Sequence, residues 1–261
     1  MKKINLLKLA LKEGKHVFGT WSNIPSPNVT NILSNSGMDF IIIDLEHGPT
    51  TYETLEYQIY AADSERVTPI VRLSDSTEKN ILHVLEVGAQ SILISHVNSA
   101  LETEKIVKST RYSPDGNRGI SLFTRNHGYS DKDFKYKMQN INEQIFTSII
   151  IEGEEGINNL ENICSIKNLD MVYLGIYDIS QTLGVPGDVK NKKVINLIKD
   201  LVKMIESHGV VAGSIAPDRE YIKFLIESGF RFISYRADSA VLLDGFSTAN
   251  SWFQKIINDL A

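Results

Sequence analysis

The 261-residue sequence lacks the features that mark secreted, membrane-spanning or nucleic-acid-binding proteins. Its one cysteine, Cys164, excludes an intrachain disulfide, and such sparing use of cysteine is typical of a reducing cytosol. No apolar run reaches the roughly 18 residues that a transmembrane helix requires. The formal net charge of -5 argues against a basic nucleic-acid-binding surface. We therefore expect a cytoplasmic protein with neither a membrane nor a nucleic-acid partner.

Lysine is also missing from every predicted strand end, although the chain has many lysines elsewhere. An aldolase that works through a Schiff base needs a lysine inside its barrel, so this class is disfavoured. The sequence has neither a G-x-S-x-G nucleophile elbow nor a Walker lysine motif. A metal-assisted reaction is the simplest remaining hypothesis.

Eight apolar segments rich in β-branched residues alternate with stretches of helical apolar spacing. The predicted strands cover residues 17–21, 39–44, 68–73, 90–95, 146–152, 170–175, 209–214 and 230–235. Several intervening helices are predicted to end just before a glycine, at Gly88, Gly209 and Gly229. We therefore predict an α/β fold, a (β/α)8 TIM barrel, as a single domain over residues 1–261. A doubly wound sheet is the structural alternative, for which eight units would be many.

The stretch from residue 38 to residue 49 is the most informative part of the chain. An apolar run leads into Asp44, Glu46 and His47, and Gly48-Pro49 ends the segment. Charged groups at the end of a buried strand cost several kcal/mol if they lose water without gaining partners. At the carboxyl end of a barrel strand they are typical of catalysis. This stretch therefore predicts an enzyme.

Residues at the carboxyl ends of barrel strands meet around one mouth, even when they are distant in sequence. The residues predicted at this mouth are Trp21, Asp44, Glu46, His47, Arg72, His96, Glu152, Asp178, Ser214 and Arg236. Crowded carboxylates repel one another unless a positive charge lies among them. An oxygen-rich set favours Mg²⁺ or Mn²⁺ over tetrahedral zinc. Two alternatives stay open: Glu46 as a solvated rim residue or salt-bridge partner, and His96 as a structural histidine.

About 50 residues separate predicted strands four and five, and so long a segment inside a compact domain is usually functional. It contains Arg118, Arg125, His127 and Tyr129. These side chains either reach over the mouth or belong to a solvated surface loop.

Several motifs in the same order resemble the HpcH/HpaI aldolase family, the metal-dependent class II pyruvate aldolases typified by 4-hydroxy-2-oxoheptanedioate aldolase. The resemblance covers nearly the whole chain. Its most specific pieces are Ile43-Asp44-Leu45-Glu46-His47-Gly48-Pro49, Val71-Arg72-Leu73, Arg111-Tyr112 with Pro114, Gly116 and Arg118-Gly119, Ile151-Glu152, and Leu174 to Ser180 with Leu183-Gly184.

The resemblance implies a role for each matching residue. Glu152 and Asp178 would hold a divalent cation, Mg²⁺ or Mn²⁺, with Co²⁺ as a further candidate. Arg72 would bind the keto oxygen and stabilise the developing enolate. His47, oriented by Asp44, would move the proton of the aldol hydroxyl through a water. Gly175 would leave room and a backbone amide for the pyruvate carboxylate, and we also predict substrate contacts for Trp21 and Ser214.

The same resemblance implies a homo-oligomer in which the last helix is swapped between subunits, with dimers commonly assembled into hexamers. The chain departs from the usual family pattern at a few positions. Ile150 stands where many members have glutamine, Ile176-Tyr177 replaces a small Pro-Ala-like pair, Ser95 replaces a common proline, Glu86 a usual aspartate, and Gly153 a common hydroxyl residue. These departures leave the substrate open.

We therefore expect a carbon–carbon lyase that cleaves or forms 4-hydroxy-2-oxo acids, with pyruvate as the nucleophilic half and an aldehyde as the other. If the long segment reaches the mouth, an acidic or polyhydroxylated aldehyde is expected. One alternative is a CoA-thioester lyase of the citramalyl or malyl type. Another is a non-catalytic descendant that binds a 2-oxo acid.

Overall fold

A closed barrel of parallel strands forms the centre of the molecule. A computed structural model describes residues 4–260. The strands are β1 (Val17–Ser22), β2 (Phe40–Asp44), β3 (Thr68–Leu73), β4 (Ser91–Ile94), β5 (Phe146–Ile151), β6 (Met171–Leu174), β7 (Val211–Ala216) and β8 (Phe232–Ala237). Each strand pairs with the next, and β8 pairs with β1. The prediction of a (β/α)8 TIM barrel is confirmed.

Helices connect the strands around the outside of the barrel. They are α1 (Leu6–Lys12), α2 (Pro27–Ser34), α3 (Tyr52–Ser64), α4 (Glu78–Glu86), α5 (Ala100–Thr110), α6 (Phe134–Gln144), α7 (Glu154–Asn158), α8 (Leu160–Cys164), α9 (Ile176–Thr182), α10 (Lys192–Ser207), α11 (Arg219–Glu227) and α12 (Asp238–Leu260). Ser26, Thr51, Thr77, Ser99 and Asp218 cap α2, α3, α4, α5 and α11, each accepting a backbone N–H three residues on. No helix among the described residues is long and apolar enough to span a bilayer.

Alternate residues of each strand point into the barrel or out toward the helices. The interior contains large side chains, and the Phe40 and Phe232 rings stack with centroids 3.9 Å apart. A glycine is needed at position 19, because a Cβ there would overlap the Phe40 ring and carbonyl oxygen. The interior below the mouth is therefore a packed core, which confines chemistry to the carboxyl ends of the strands.

Strands β7 and β8 begin two residues later than the sequence pattern suggests and extend to Ala216 and Ala237. In β7 the inward positions are Val211 and Ile215, so Ser214 faces the opposite way. Strand β8 has a shift in register against β1 between Thr20 and Trp21. These details decide which residues of the last two strands reach the mouth.

The long segment between α5 and α6 lies at the amino ends of the strands. Arg118 pairs with Glu86 at the end of α4, at 2.8 Å. Arg125 pairs with Asp63 near the end of α3, also at 2.8 Å, and stacks on the Tyr60 ring. The interpretation in which this segment covers its own barrel mouth is therefore wrong. A connection that follows a helix and precedes a strand lies at the amino end of that strand.

Helix α12 is attached to the barrel by its first residue. The buried Asp238 carboxylate accepts hydrogen bonds from the Ser22 hydroxyl and from the backbone N–H groups of Asn23 and Ile24, at 3.0–3.2 Å. Beyond residue 240 the helix is exposed. Its exposed residues include Leu242, Phe246, Phe253, Ile257 and Leu260, spaced to form one apolar face.

Candidate active site

A cavity of about 310 Å³ opens at the carboxyl ends of the strands. Its walls bring together residues from strand ends that are far apart in sequence: Trp21, Asn23, Asp44, His47, Arg72, Ile150, Glu152, Tyr173, Gly175, Ile176, Tyr177, Asp178, Ile215 and Ala237. A larger cavity of about 470 Å³, lined by Arg125 and His127, lies at the opposite end of the barrel. We place the chemistry in the smaller cavity, because TIM-barrel catalysis occurs at the carboxyl ends of the strands.

Arg72, at the end of β3, is bound by Asp44 at the end of β2. Its Nε donates to Asp44 Oδ1 at 2.9 Å, and Nη2 donates to Oδ2 at 2.7 Å. Both side chains are buried, at 10% and 1% exposure. Burial by itself would raise the pKa of Asp44, but Arg72 and the backbone N–H groups of His47 and Glu46 hold that pKa below its ordinary value. The pair is therefore charged, with a fixed bidentate geometry.

Two further residues fix the Arg72 guanidinium. Glu46 Oε2 lies 3.0 Å from Arg72 Nη1, and the guanidinium carbon lies 4.7 Å from the centre of the Trp21 ring. The Trp21 indole N–H in turn donates to the Ser234 hydroxyl at 2.9 Å and the Tyr173 hydroxyl at 3.2 Å. Burial would lower the pKa of Arg72, but Asp44, Glu46 and Glu152 raise it above its ordinary value. The cation is thus held between an aromatic floor and two carboxylates.

Asp44 also shapes the loop that carries His47. Its Oδ1 accepts the backbone N–H of Glu46 at 2.9 Å and that of His47 at 3.2 Å. Within residues 4–260 the Asp44 carboxylate makes no hydrogen bond to the His47 imidazole. Asp44 therefore positions His47 through the backbone of the loop. The His47 side chain is exposed and lines the cavity.

Glu152 follows β5 and is almost buried. Its Oε1 accepts the backbone N–H of His96 at 2.9 Å and lies 2.7 Å from His96 Nδ1. Burial raises the pKa of Glu152, the contacts with His96 lower it, and the charges of Asp178 and Glu46 raise it, with a net upward direction. Burial is thus the main cause of the raised pKa of Glu152, and the neighbouring carboxylates add to it.

The residues present fit a divalent cation. Glu152 and Asp178 line the same cavity, and both offer the oxygen donors that Mg²⁺ and Mn²⁺ prefer. Gly175 leaves space beside them, because a Cβ there would lie 2.9 Å from Glu152 Cβ and 3.0 Å from Oε2. Within residues 4–260 no three His, Cys, Asp or Glu side chains group as a complete metal cage. The protein would therefore supply two carboxylates and leave other positions open.

The structure gathers most of the predicted site residues and separates two of them. Trp21, Asp44, His47, Arg72, Glu152, Gly175 and Asp178 line the cavity. The Ser214 hydroxyl instead donates to the carbonyl oxygen of Leu174 at 2.9 Å, and Arg236 turns away to pair with Asp244. Ile215 and Ala237 take their places at the wall.

The sequence interpretation also missed Asn23 and Tyr173. Tyr173 was identifiable in principle, since it stands two residues before Gly175, on the face of β6 that points into the barrel. Asn23 Nδ2 donates to Asp44 Oδ2 at 3.2 Å, a contact that no local sequence pattern predicts.

Comparisons with known proteins show what the chain as a whole is similar to. The sequence model of the HpcH/HpaI aldolase/citrate lyase family matches residues 17–244. A hydroxypyruvate/pyruvate aldolase from Roseobacter denitrificans is 31% identical over 96% of this chain and 98% of its own. A 2-keto-3-deoxy-L-rhamnonate aldolase from Salmonella gallinarum is 27% identical over 97% of this chain and 94% of its own. Among solved structures, the citrate synthase SbnG is 28% identical, with a TM-score of 0.87 over 97% of this chain and 98% of that chain.

The substitution Asp44→Asn tests how much the buried pair of Asp44 and Arg72 contributes to the free energy of unfolding. We expect a loss of about 3 kcal/mol in the free energy of unfolding, because Arg72 keeps its charge and loses its bidentate partner. Since the pKa of Asp44 is held below its ordinary 3.8, the pair stabilises the fold above that pH and loses this contribution as pH falls further. Urea unfolding at several pH values should therefore show the two proteins converging below pH 3.8.

Asp244→Asn is the matched control, since it breaks the exposed pair with Arg236 and should change stability little. If Asp44→Asn were no more destabilising than this control, the buried pair of Asp44 and Arg72 would not stabilise the fold.

Proposed function

Because this chain belongs to the HpcH/HpaI aldolase/citrate lyase family, we propose that it is a divalent-metal-dependent aldolase acting on 4-hydroxy-2-oxo acids. Pyruvate would be its nucleophilic half. The observation that carries the proposal is the convergence of Glu152, Asp178 and the paired Arg72 on one cavity. The aldolase names of the two curated relatives support it.

A divalent cation held by Glu152 and Asp178 would act as a Lewis acid toward the 2-oxo acid. In the cleavage direction the bond between C3 and C4 breaks, and its electron pair forms the enolate of pyruvate. The Arg72 guanidinium stabilises the negative charge that develops on the keto oxygen, because it is already charged and fixed before the reaction begins.

His47 is the group at the mouth that suits proton transfer. An imidazole changes charge near neutral pH, and this one is exposed on a loop whose backbone Asp44 fixes. We assign it the removal, through a water, of the proton from the C4 hydroxyl as the aldehyde forms. In the synthetic direction His47 returns that proton.

The charges of the mouth favour an uncharged aldehyde. Four carboxylates, Asp44, Glu46, Glu152 and Asp178, lie at the mouth. The one guanidinium there, that of Arg72, is already bound by Asp44 and Glu46. Ile150, Ile215 and Ala237 add apolar wall. The cations of the segment between α5 and α6 lie at the other end of the barrel and are not available to their own mouth. This placement argues against the acidic aldehyde, which is expected only if the long segment reaches over the mouth.

We further propose that α12 packs against a second copy of the chain. Its exposed face of Leu242, Phe246, Phe253, Ile257 and Leu260 is the kind of contiguous apolar surface that proteins bury in an interface. Asp238 fixes the root of this helix to the loop that carries Asn23 at the mouth, so an interface on α12 would lie close to the site.

Exchange of the pyruvate methyl protons in D₂O tests enolate formation without knowledge of the aldehyde. Proton NMR with Mg²⁺ should show exchange that EDTA abolishes and that Glu152→Gln and Arg72→Lys each reduce by at least about 100-fold, the usual scale for lost preorganised stabilisation. His83→Ala, on the outer helix α4, serves as the control. Exchange that persists in EDTA would contradict the metal-dependent mechanism. Tight metal binding without exchange would favour the CoA-thioester lyase or non-catalytic alternative.

Butanal and succinic semialdehyde, which have equal chain lengths, test the charge preference of the acceptor. We expect kcat/KM with pyruvate to be at least about tenfold higher for butanal, because a second carboxylate would enter a mouth already in negative excess. A preference for succinic semialdehyde would contradict this charge argument.

The double substitution Phe246→Glu/Phe253→Glu tests the α12 interface. Light scattering after size exclusion should show an oligomer for the native chain and a monomer for the variant, since two buried charges oppose association. Ser251→Glu, at an exposed polar position on the opposite side of the same helix, should leave the oligomer intact. A monomeric native chain would refute this proposal.

A further inference from the structure

His96 lies between two carboxylates at the mouth and contacts both. It follows β4, and its backbone N–H donates to Glu152 Oε1 at 2.9 Å. Its ring nitrogen Nδ1 lies 2.7 Å from the same oxygen, and Nε2 lies 3.2 Å from Glu46 Oε1. The imidazole therefore bridges Glu152 and Glu46 with its two ring nitrogens.

Glu46 is itself anchored, so the bridge ends on a fixed group. Its Oε2 accepts the Ser95 hydroxyl at 2.5 Å and lies 3.0 Å from Arg72 Nη1. The Glu46 and Glu152 side chains are 11% and 9% exposed, whereas the His96 ring is 62% exposed. An exposed imidazole would normally move freely, but here its contacts run to two nearly buried carboxylates.

The backbone of His96 is unusual as well. Its φ of +57° lies in the left-handed region, which is costly for most residues other than glycine. The residue adopts this conformation where its N–H and its ring reach the same carboxylate oxygen. Local turn requirements alone would be met by glycine, so the side chain accounts for the choice of histidine.

The bridge leaves the two oxygens of Glu152 in different roles. His96 occupies Oε1. Oε2 lies on the side where Gly175 leaves space, in the cavity that Asp178 also lines. A carboxylate held in this way presents one defined oxygen to a cation, instead of rotating between alternatives.

We propose that His96 is a positioning residue that fixes the Glu152 carboxylate for metal binding and links it, through Glu46, to Arg72. This inference rests on the proposed metal-dependent function. Residues that orient metal ligands commonly change affinity by about 10–100-fold when they are removed.

The test is Mn²⁺ affinity without substrate, measured by the EPR signal of free Mn²⁺ on the full chain. His96→Gly is the decisive variant, because it keeps the backbone N–H and tolerates the positive φ but removes the ring. We expect its Kd for Mn²⁺ to rise at least about tenfold. Glu46→Gln, which changes the other end of the bridge, should weaken Mn²⁺ in the same direction. His83→Ala is the matched control and should bind like the native chain.

A positioning role and a purely structural role predict different properties for His96→Gly. If His96 is a positioning residue, urea unfolding should show that His96→Gly is as stable as the native chain or more so, and saturating Mn²⁺ should restore kcat. Native-like Mn²⁺ affinity in His96→Gly would overturn the positioning role and leave the proposed function standing. If the native chain bound Mn²⁺ no better than Glu152→Gln does, the metal-dependent function and this inference would both be overturned.

Discussion

A buried guanidinium at the barrel mouth is the group on which the rest of the site depends. Arg72 cannot lose its charge, and a buried cation without partners would be strongly destabilising. Asp44 binds it at two atoms, Glu46 lies against a third, and Trp21 covers its face. These contacts to Arg72 fix the ends of β1, β2 and β3 relative to one another before any substrate binds.

Two paths of direct contacts lead away from Arg72. One runs through Asp44 and Asn23 to Asp238, the root of α12. The other runs through Glu46 and His96 to Glu152. The first connects the charged pair to the helix whose apolar face is exposed, and the second connects it to the carboxylate proposed as a metal ligand. A structural change at Asp238 or at Glu152 can therefore affect the Arg72 guanidinium through a chain of direct contacts.

Negative charge is in excess at the mouth, and this excess determines which ligands the site favours. Four carboxylates and one guanidinium give a net charge of about three negative at the mouth. Burial is the main cause that raises the pKa of Glu152, and the charges of Asp178 and Glu46 raise it further. A divalent cation would relieve most of this excess, and an uncharged aldehyde would not add to it. Arg118 and Arg125 do not balance this excess, because they pair with Glu86 and Asp63 at the amino end of the barrel.

The order of strands and helices and the grouping of Asp44, Arg72 and Glu152 were determined by the sequence. Alternating apolar segments specify a barrel, and a closed barrel brings all strand ends to one mouth. The ends of β7 and β8 were not readable. Both strands extend two residues beyond their predicted ends, Ser214 faces away from the barrel interior, and the register shift of β8 places Ala237 instead of Arg236 at the wall. The bridge of His96 between Glu46 and Glu152 was likewise decided only in three dimensions. Contacts between residues about 50 positions apart depend on loop geometry at ångström scale, which local propensity does not encode.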